Sequence, residues 1–202
     1  VEGSDVTIRG ISASFGSLDK DEFHVGESGL LTRMMIPVLS QLCPGSVKIT
    51  GEKTLLNRPL TGAKEIMEAF EAEISPLASH GRNDNPVSVP LTVTGPLKAT
   101  RAEISGKHGS QLISGLLMGL PFSEKNSQLI VTDPKSIPYM FITLEVLKKF
   151  GIKIANDMLG GQDFLESGGD WSLCTEMHFK VKGGQKYRAA DIDLEGDWSA
   201  AA

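Results

Sequence analysis

The sequence predicts an α/β fold built from repeated strand–helix–strand–helix–strand–strand units. Two observations lead to this prediction: apolar segments switch between strand-like and helix-like periodicity, and the same order of segments occurs twice. Strands joined through helices favour parallel pairing, with helices packed on a mostly buried sheet face. We therefore expect two nearly complete units and the beginning of a third.

The repeat is visible when the chain is compared with itself. Residues 26–29 (Gly-Glu-Ser-Gly) match residues 106–109 (Gly-Lys-His-Gly), 80 positions later, and a predicted apolar helix follows each, at 30–42 and 110–120. The same displacement pairs hydrophobic residues with helical spacing, followed by a strand-like tail at Ile152 and Ile154. The pairs are Ile66 with Val146, Met67 with Leu147, Phe70 with Phe150 and Ile74 with Ile154. The alternative is a chance similarity between α/β units, which all share the strand–turn–helix order.

A second displacement, of 88 positions, matches residues 91–95 with residues 179–183. Both segments alternate apolar and polar residues and end at glycine, which is typical of a half-buried strand leading into a turn. Together the two matches divide the chain into units. These cover approximately residues 1–90, 91–176 and 177–202.

Composition and charge argue against nucleic-acid binding and a membrane location. The net charge of −5 argues against nucleic-acid binding through a general basic field. No run of 18 apolar residues and no charged-then-apolar leader occur, so we expect a cytoplasmic protein without a membrane partner. The chain begins at Val1 without Met and stops at Ala202 in what reads as a first helical turn, which predicts a piece of a longer protein.

Cysteines and histidines give no metal or redox motif. Cys43 and Cys174 lie far apart, and we expect two buried free thiols in a reducing compartment rather than a single disulfide. The histidines show no metal-binding spacing, so neither a metal nor a cofactor is predicted. They are His24, His80, His108 and His178.

Three glycine- and serine-rich helix starts are candidates for anion binding, at residues 26–29, 109–111 and 196–199. The first turn of a helix presents unpaired N–H groups and the positive end of the helix dipole. The alternative is that these are ordinary helix caps.

Two proline-containing loops are the other candidates. Pro59 and Pro138 are predicted in the first turns of helices, because proline is favoured there. Arg58 then stands at a helix entrance beside the carboxyl end of a strand, where open α/β sheets bind ligands. Its guanidinium suits bidentate recognition of phosphate or carboxylate, and the alternative is a solvated surface arginine.

These segments resemble the motifs of one family, the enolpyruvylshikimate phosphate synthases. Residues 26–33 resemble its Gly-Asn-Ala-Gly-Thr-x-x-Arg signature, and residues 57–60 its Glu-Arg-Pro-Ile loop. Residues 109–118 are similar to Ser-Ser-Gln-Phe-x-x-Ala-Leu-Leu-Met, and residues 136–144 to Ser-Lys-Pro-Tyr-x-x-x-Thr-Leu. Residues 195–199 resemble Glu-Gly-Asp-x-Ser, so five motifs follow one another in the family's order.

The resemblance implies an enzyme that joins phosphoenolpyruvate to shikimate-3-phosphate and releases phosphate, in aromatic amino-acid biosynthesis. It implies a two-lobed fold of the inside-out α/β barrel type, with three units in each lobe. Residues 1–202 would form a single partial lobe, with about two of the three units of the shikimate-phosphate-binding lobe. The second lobe of the parent chain would be its partner.

The resemblance also implies roles for individual residues. Ser110 and Ser136 would contact the sugar phosphate, and Gln111 and Tyr139 the shikimate ring. Arg58 and the backbone at Gly29 would lie against phosphoenolpyruvate. No catalytic residue is expected in this chain, because the family's Asp, Glu and Lys lie in the other lobe and its opening Lys-Ser and Arg precede Val1.

Three departures from the family pattern leave alternatives open. Leu30 stands where the family has Thr, Gly109 where it often has Ser, and Glu27 where it has Asn. The alternatives are a carboxyvinyl transferase acting on UDP-N-acetylglucosamine, which shares the fold, and a non-catalytic repeat module that kept an anion pocket.

Overall fold

A computed structural model of the protein describes residues 6–8, 10, 20–43, 45–77, 87–98 and 101–194. Within these ranges the chain forms two four-stranded sheets, each with its own helices. The first set comprises β1 (Glu22–His24), α1 (Gly29–Leu42), β2 (Ser46–Thr50), α2 (Ala63–Ala69), β3 (Glu73–Pro76) and β4 (Leu91–Thr94). The second comprises β5 (Arg101–Ser105), α3 (Gln111–Gly119), β6 (Ser127–Thr132), α4 (Ile137–Lys149), β7 (Ile154–Gly160), α5 (Gln162–Glu166) and β8 (Cys174–Val181). Short 3-10 helices lie at Lys53–Asn57, Leu120–Phe122 and Trp171–Leu173.

The two sheets have the same topology. Their strand orders are β1-β2-β4-β3 and β5-β6-β8-β7, so the α/β class and the predicted strand–helix–strand–helix–strand–strand order are confirmed. Strands joined through a single long helix or helical crossover run in the same direction, as expected (β1, β2 and β3, and β5, β6 and β7), and β1–β2 and β5–β6 pair in parallel. The other neighbours are antiparallel. Between β7 and β8 the chain makes only short helices, and it turns back instead of crossing over.

Strand register reproduces the internal repeat. Ile74 of β3 pairs with Val93 of β4, and Ile154 of β7 pairs with Val181 of β8. The displacements of 80 and 88 read from the sequence therefore carry one pairing onto the other. The predicted unit limits are out of phase with the sheets: residue 90 falls just before β4, which completes the first sheet, and residue 177 falls inside β8.

Burial separates the two faces of each sheet. Alternate residues of the central strands are buried against the helices, while their neighbours face outward and are partly exposed, as in the pattern of β4 (Leu91–Thr94). One continuous hydrophobic core includes residues of both sheets and of the helices between them. Its largest fully buried side chains are Phe70, Phe179, Ile36, Leu39, Ile49, Leu55, Leu60, Met67, Leu91, Ile113, Leu116 and Leu117.

Helices α1 and α3 pack closely and run in the same direction. Gly115 lies against Met34 and Pro37, and Gly119, one turn later, lies against Pro37 and Val38. A β-carbon added to Gly115 would stand 2.4 Å from the Met34 carbonyl oxygen, so the two backbones approach too closely for any side chain. The first turns of α1 and α3 consequently lie at the same end of the molecule.

The structure also tests other predictions from the sequence. Cys43 and Cys174 are both free and buried, as predicted. The Gly-rich, acidic composition of residues 156–170 favours a mobile hairpin or loop, but the segment contains most of β7, all of α5 and a tight turn. No helix in the described ranges combines the length and the apolar character required to cross a bilayer.

Candidate functional site

The first turns of α1, α3 and α4 lie at one end of the molecule because of the parallel strand pairs. α1 follows the carboxyl end of β1, and α3 and α4 follow the carboxyl ends of β5 and β6. Parallel neighbours end at the same edge of a sheet, so helices that leave them begin there too. Since α1 and α3 also pack side by side, the predicted site residues of both units lie at this end.

Gly29, Arg33 and Arg58 form a compact cluster at the start of α1. A β-carbon on Gly29 would lie 2.9 Å from Nη1 of Arg58 and 3.0 Å from Nη1 of Arg33, so both guanidinium groups cover this glycine. Arg33 donates to the Gly29 carbonyl oxygen at 3.1 Å and to the Pro59 carbonyl oxygen at 2.9 Å. The structure therefore brings Gly29 and Arg58 together, as the resemblance implies.

The cluster concentrates positive charge. Burial lowers the pKa of Arg33, and the nearby positive charge of Arg58 lowers it further. Arg33 is half-buried and Arg58 is exposed, so Arg58 has its donors free to face a ligand. Two guanidinium groups beside the first turn of a helix favour a carboxylate or phosphate, which relieves their mutual repulsion.

Arg58 does not stand at the entrance of a helix, as the sequence predicts, but at the end of a short one. Pro59 does not begin a helix: α2 starts four residues later, at Ala63, and Arg58 caps the end of the 3-10 helix Lys53–Asn57. The interpretation of Pro59 was wrong because the short 3-10 helix takes up the residues between β2 and the loop. Pro138, in contrast, lies in the first turn of α4 as predicted.

Ser110 and Gln111 open α3. Ser110 is buried at the N-cap position, and its hydroxyl makes no capping hydrogen bond to its own helix. Its carbonyl oxygen accepts from the Ser114 N–H at 2.8 Å, which begins the helix. The Ser110 hydroxyl is thus not used to hold the helix start, and Gln111 follows it half-buried.

Ser136 and Tyr139 open α4. Ser136 has a left-handed backbone, with φ of 57°, and its carbonyl oxygen accepts from the Tyr139 N–H at 3.1 Å. The Tyr139 side chain is exposed, at 57% of its possible area. Both side chains are therefore accessible at the start of the helix.

A side-chain hydrogen bond links the starts of α3 and α4. The hydroxyls of Ser114 and Thr143 lie 2.8 Å apart, and Thr143 also donates to the Tyr139 carbonyl oxygen at 2.9 Å. Gln111 lies about one turn before Ser114, and Tyr139 about one turn before Thr143. The two predicted ring contacts are thus placed on neighbouring helix starts.

The loop that carries Arg58 connects the two units. Gly62 packs under the His108 ring, since a β-carbon on Gly62 would lie 2.7 Å from Cδ2 of His108. His108 stands two residues before Ser110, and Arg33 holds Pro59 at the other end of this loop. Residues 58–62 therefore run from the arginine cluster to the start of α3.

Two of the departures from the family pattern have structural explanations. Gly109 has φ of 98°, a conformation that residues with a side chain rarely adopt, so its place in this turn favours glycine over serine. In the first unit the glycine with positive φ is Gly26, which aligns with Gly106 and not with Gly109. The aligned glycines of the two units therefore differ in backbone conformation. Leu30 points outward, at 53% exposure.

Some candidates are not part of this site. The predicted helix start at residues 196–199 lies outside the described residues. A groove of about 520 Å³ lies at the opposite edge of the second sheet, lined by residues such as Arg101, Gln128 and Lys180, and contains none of the predicted site residues. Among the described residues, no group of three or more His, Cys, Asp or Glu side chains is arranged to hold a metal ion.

Sequence reasoning assigned no role to Arg33. It appeared only as the last residue of the signature, whereas the structure shows that it binds the Gly29 and Pro59 backbones. Its position four residues after Gly29 on a helix was the available signal, because residues at that spacing face the same side.

Comparisons with known proteins point to one family. The sequence profile of the family described as EPSP synthase (3-phosphoshikimate 1-carboxyvinyltransferase) matches residues 1–202. The 3-phosphoshikimate 1-carboxyvinyltransferase of Methanococcus maripaludis strain C7 is 33% identical over 180 residues, which cover 88% of this chain and 37% of the relative. That of Methanocorpusculum labreanum is 30% identical over 203 residues, covering 100% of this chain and 42% of the relative.

Solved structures show the same fold. EPSP synthase from Acinetobacter baumannii superposes with a TM-score of 0.60 at 22% identity, covering 88% of this chain and 34% of that one. The inside-out α/β fold predicted from the resemblance is thus confirmed. The chain spans well under half the length of the relatives it matches.

Proposed function

The chain belongs to the EPSP synthase family, and on that premise we propose that it forms the shikimate-3-phosphate-binding part of a longer enolpyruvyl transferase. The whole protein would transfer the enolpyruvyl group of phosphoenolpyruvate to the 5-hydroxyl of shikimate-3-phosphate and release phosphate. That activity belongs to the shikimate pathway, and we propose that the protein acts in the cytoplasm. The observation that carries the enolpyruvyl-transfer part of the proposal is the cluster of Gly29, Arg33 and Arg58 at a helix start.

The arginine cluster suits phosphoenolpyruvate. This substrate carries a phosphate and a carboxylate, and a guanidinium can pair with either through two parallel hydrogen bonds. Gly29 leaves room for both guanidinium groups beside the α1 backbone, and the first-turn N–H groups that Ser28 does not cap add to the attraction. Arg58 would supply the exposed contact, and Arg33 would hold the backbones around it.

The starts of α3 and α4 suit shikimate-3-phosphate. We propose that the hydroxyls of Ser110 and Ser136 donate to the sugar phosphate, while Gln111 and Tyr139 contact the ring. The absence of a capping bond at Ser110 supports this role, because its hydroxyl is available to a ligand. The Ser114–Thr143 hydrogen bond holds the two helix starts in place.

Binding by these residues orients the substrates but does not complete the reaction. The methylene carbon of phosphoenolpyruvate must be protonated while the sugar hydroxyl attacks and loses its proton; the new methyl group must then lose a proton as phosphate leaves, which restores the double bond. We propose that the groups that move these protons belong to the second lobe, so the 202-residue chain alone turns over no substrate.

The test compares the full-length protein with the chain alone. With phosphoenolpyruvate and shikimate-3-phosphate, the full-length protein should release phosphate and form the enolpyruvyl product, and Arg58→Ala should reduce kcat/KM by about two to three orders of magnitude. The chain alone should release no phosphate above background. Steady-state turnover by the chain alone would contradict the division of roles.

Two alternative functions are distinguished in the same assay. Turnover with UDP-N-acetylglucosamine in place of shikimate-3-phosphate would identify the sister transferase activity. A full-length protein that binds phosphate but transfers no enolpyruvyl group to either acceptor would be a binding module, the reading that Leu30 and Gly109 favour.

A further inference from the structure

We propose that Glu27 is a positioning residue that fixes the segment carrying Arg58 against the start of α1 and weakens the anion affinity of the same cluster. The proposal rests on the proposed function, since it concerns how tightly the arginine cluster holds its anion. Glu27 stands where the family signature has Asn, immediately before the N-cap Ser28.

Glu27 joins two segments that are far apart in sequence. Its Oε1 accepts a hydrogen bond from the Thr54 hydroxyl at 2.6 Å, and its Oε2 lies 3.6 Å from Nζ of Lys53. Beside it, the Glu52 N–H donates to the Gly26 carbonyl oxygen at 2.9 Å. Three adjacent contacts therefore tie residues 26–27 to residues 52–54.

The tied segment leads directly to Arg58. Lys53 has a left-handed backbone, with φ of 52°, which is unfavourable for a residue with a β-carbon and is retained only where surrounding contacts hold it. Leu55 is fully buried beneath, and the Arg58 N–H donates to its carbonyl oxygen at 3.1 Å. The Glu27 contacts thus hold the near end of a short helix whose far end places Arg58.

Glu27 also changes the electrostatics of the cluster. The Thr54 hydrogen bond lowers the pKa of its carboxyl, and the charges of Lys53 and Arg58 lower it further. The carboxylate is consequently charged at neutral pH and partly offsets the positive charge that attracts an anion. The two effects of Glu27 on anion affinity are opposite. Its hydrogen bond raises the affinity by ordering Arg58, and its negative charge lowers the affinity.

Two variants separate these effects. Glu27→Gln keeps an acceptor for Thr54 but removes the charge, so affinity for inorganic phosphate should rise about two- to threefold, the effect of one charge about 8 Å away in water. Thr54→Val keeps the charge but removes the hydrogen bond, so affinity should fall and the Arg58 side-chain NMR signal should shift before phosphate is added.

The matched control is Glu22→Gln. Glu22 also pairs with a lysine and a threonine, with its carboxylate oxygens 3.1 Å from Lys48 and 3.1 Å from Thr50, but on the outer face of the first sheet. Its replacement should leave phosphate affinity unchanged.

Arg58 Nε–H signals of the 202-residue chain, titrated with inorganic phosphate, provide the readout for every variant. Tighter binding by Glu27→Gln, with a shifted Arg58 signal in Thr54→Val, would support the proposal. If the unaltered chain shows no Arg58 response to phosphate, the anion site itself fails and this proposal fails with it. If the unaltered chain responds but both variants match it, the role of Glu27 is overturned while the anion site stands.

Discussion

Replacing Gly115 with alanine tests whether the close approach of α1 and α3 sets the geometry of the site. The added methyl would lie 2.4 Å from the Met34 carbonyl oxygen and 2.7 Å from Cγ of Pro37. Non-bonded heavy atoms normally touch at about 3.5–4.0 Å, so the helices must separate by about an ångström. Because the main obstacle is backbone, rotation of a side chain cannot relieve it.

The expected loss follows from two opposing contributions. Overpacking a close interface costs about 1–3 kcal/mol. Alanine gains up to about 1 kcal/mol over glycine inside a helix. The free energy of unfolding should therefore fall by about 1–2 kcal/mol, which for a chain of this size lowers the melting temperature by about 2–8 °C.

Thermal unfolding followed by circular dichroism measures this effect, with Gly119→Ala as the matched control. Gly119 lies on the same helix against the same neighbour, but its added methyl would stand 3.0 Å from the Pro37 carbonyl oxygen, so the loss should be smaller. A Gly115→Ala protein at least as stable as the original would refute the reasoning, because helix propensity alone would then decide the outcome.

Three further substitutions have definite expectations. Gly29→Ala should weaken phosphate binding roughly tenfold in an NMR titration. The melting temperature should stay nearly unchanged, because the methyl group displaces only the flexible ends of Arg33 and Arg58. Undiminished affinity would contradict the role of this cluster in anion binding. Thr143→Val removes the bond to Ser114 and should lower the free energy of urea unfolding by about 1–2 kcal/mol, whereas no change would show that α3 and α4 are held otherwise. Burial raises the pKa of Tyr187 above its unfolded value of about 10, so the stability it contributes is complete below pH 10 and is lost as pH rises through the folded pKa. Tyr187→Phe should lose less stability than the original protein between pH 9 and about 11, and identical losses would contradict this assignment.

The repeat could be predicted from the sequence because hydrophobic periodicity survives divergence. Ile74 and Ile154 keep their place on the buried face even though the turns around them differ. The place of the antiparallel strands β4 and β8 within the sheets could not be predicted, because a strand shows alternation whether its neighbour runs parallel or antiparallel. The strand Ile154–Gly160 was predicted only at its beginning, because Asp157 and Gly160 conceal its half-buried face.

Gly29 and Arg58 could be chosen as site candidates from the sequence, because each is a single residue whose type suits anion binding at its place in the chain. Their proximity was not predictable from spacing, because it depends on a 3-10 helix that the pattern does not distinguish from a loop. The role of Arg33 depends on carbonyl oxygens at Gly29 and Pro59, and backbone acceptors leave no mark in a sequence. In the sequence Glu27 stands out only because it differs from the Asn of the family signature. Its partner Thr54 is evident only from the structure, in which the two loops are in contact.

The most direct test of the central claim is a crystal structure of the full-length protein with shikimate-3-phosphate and phosphoenolpyruvate bound. The hydroxyls of Ser110 and Ser136 should lie within about 2.5–3.0 Å of the sugar phosphate oxygens, and a guanidinium nitrogen of Arg58 within about 2.7–2.9 Å of phosphoenolpyruvate. Substrates bound away from these helix starts, with Arg58 free in solvent, would contradict the account.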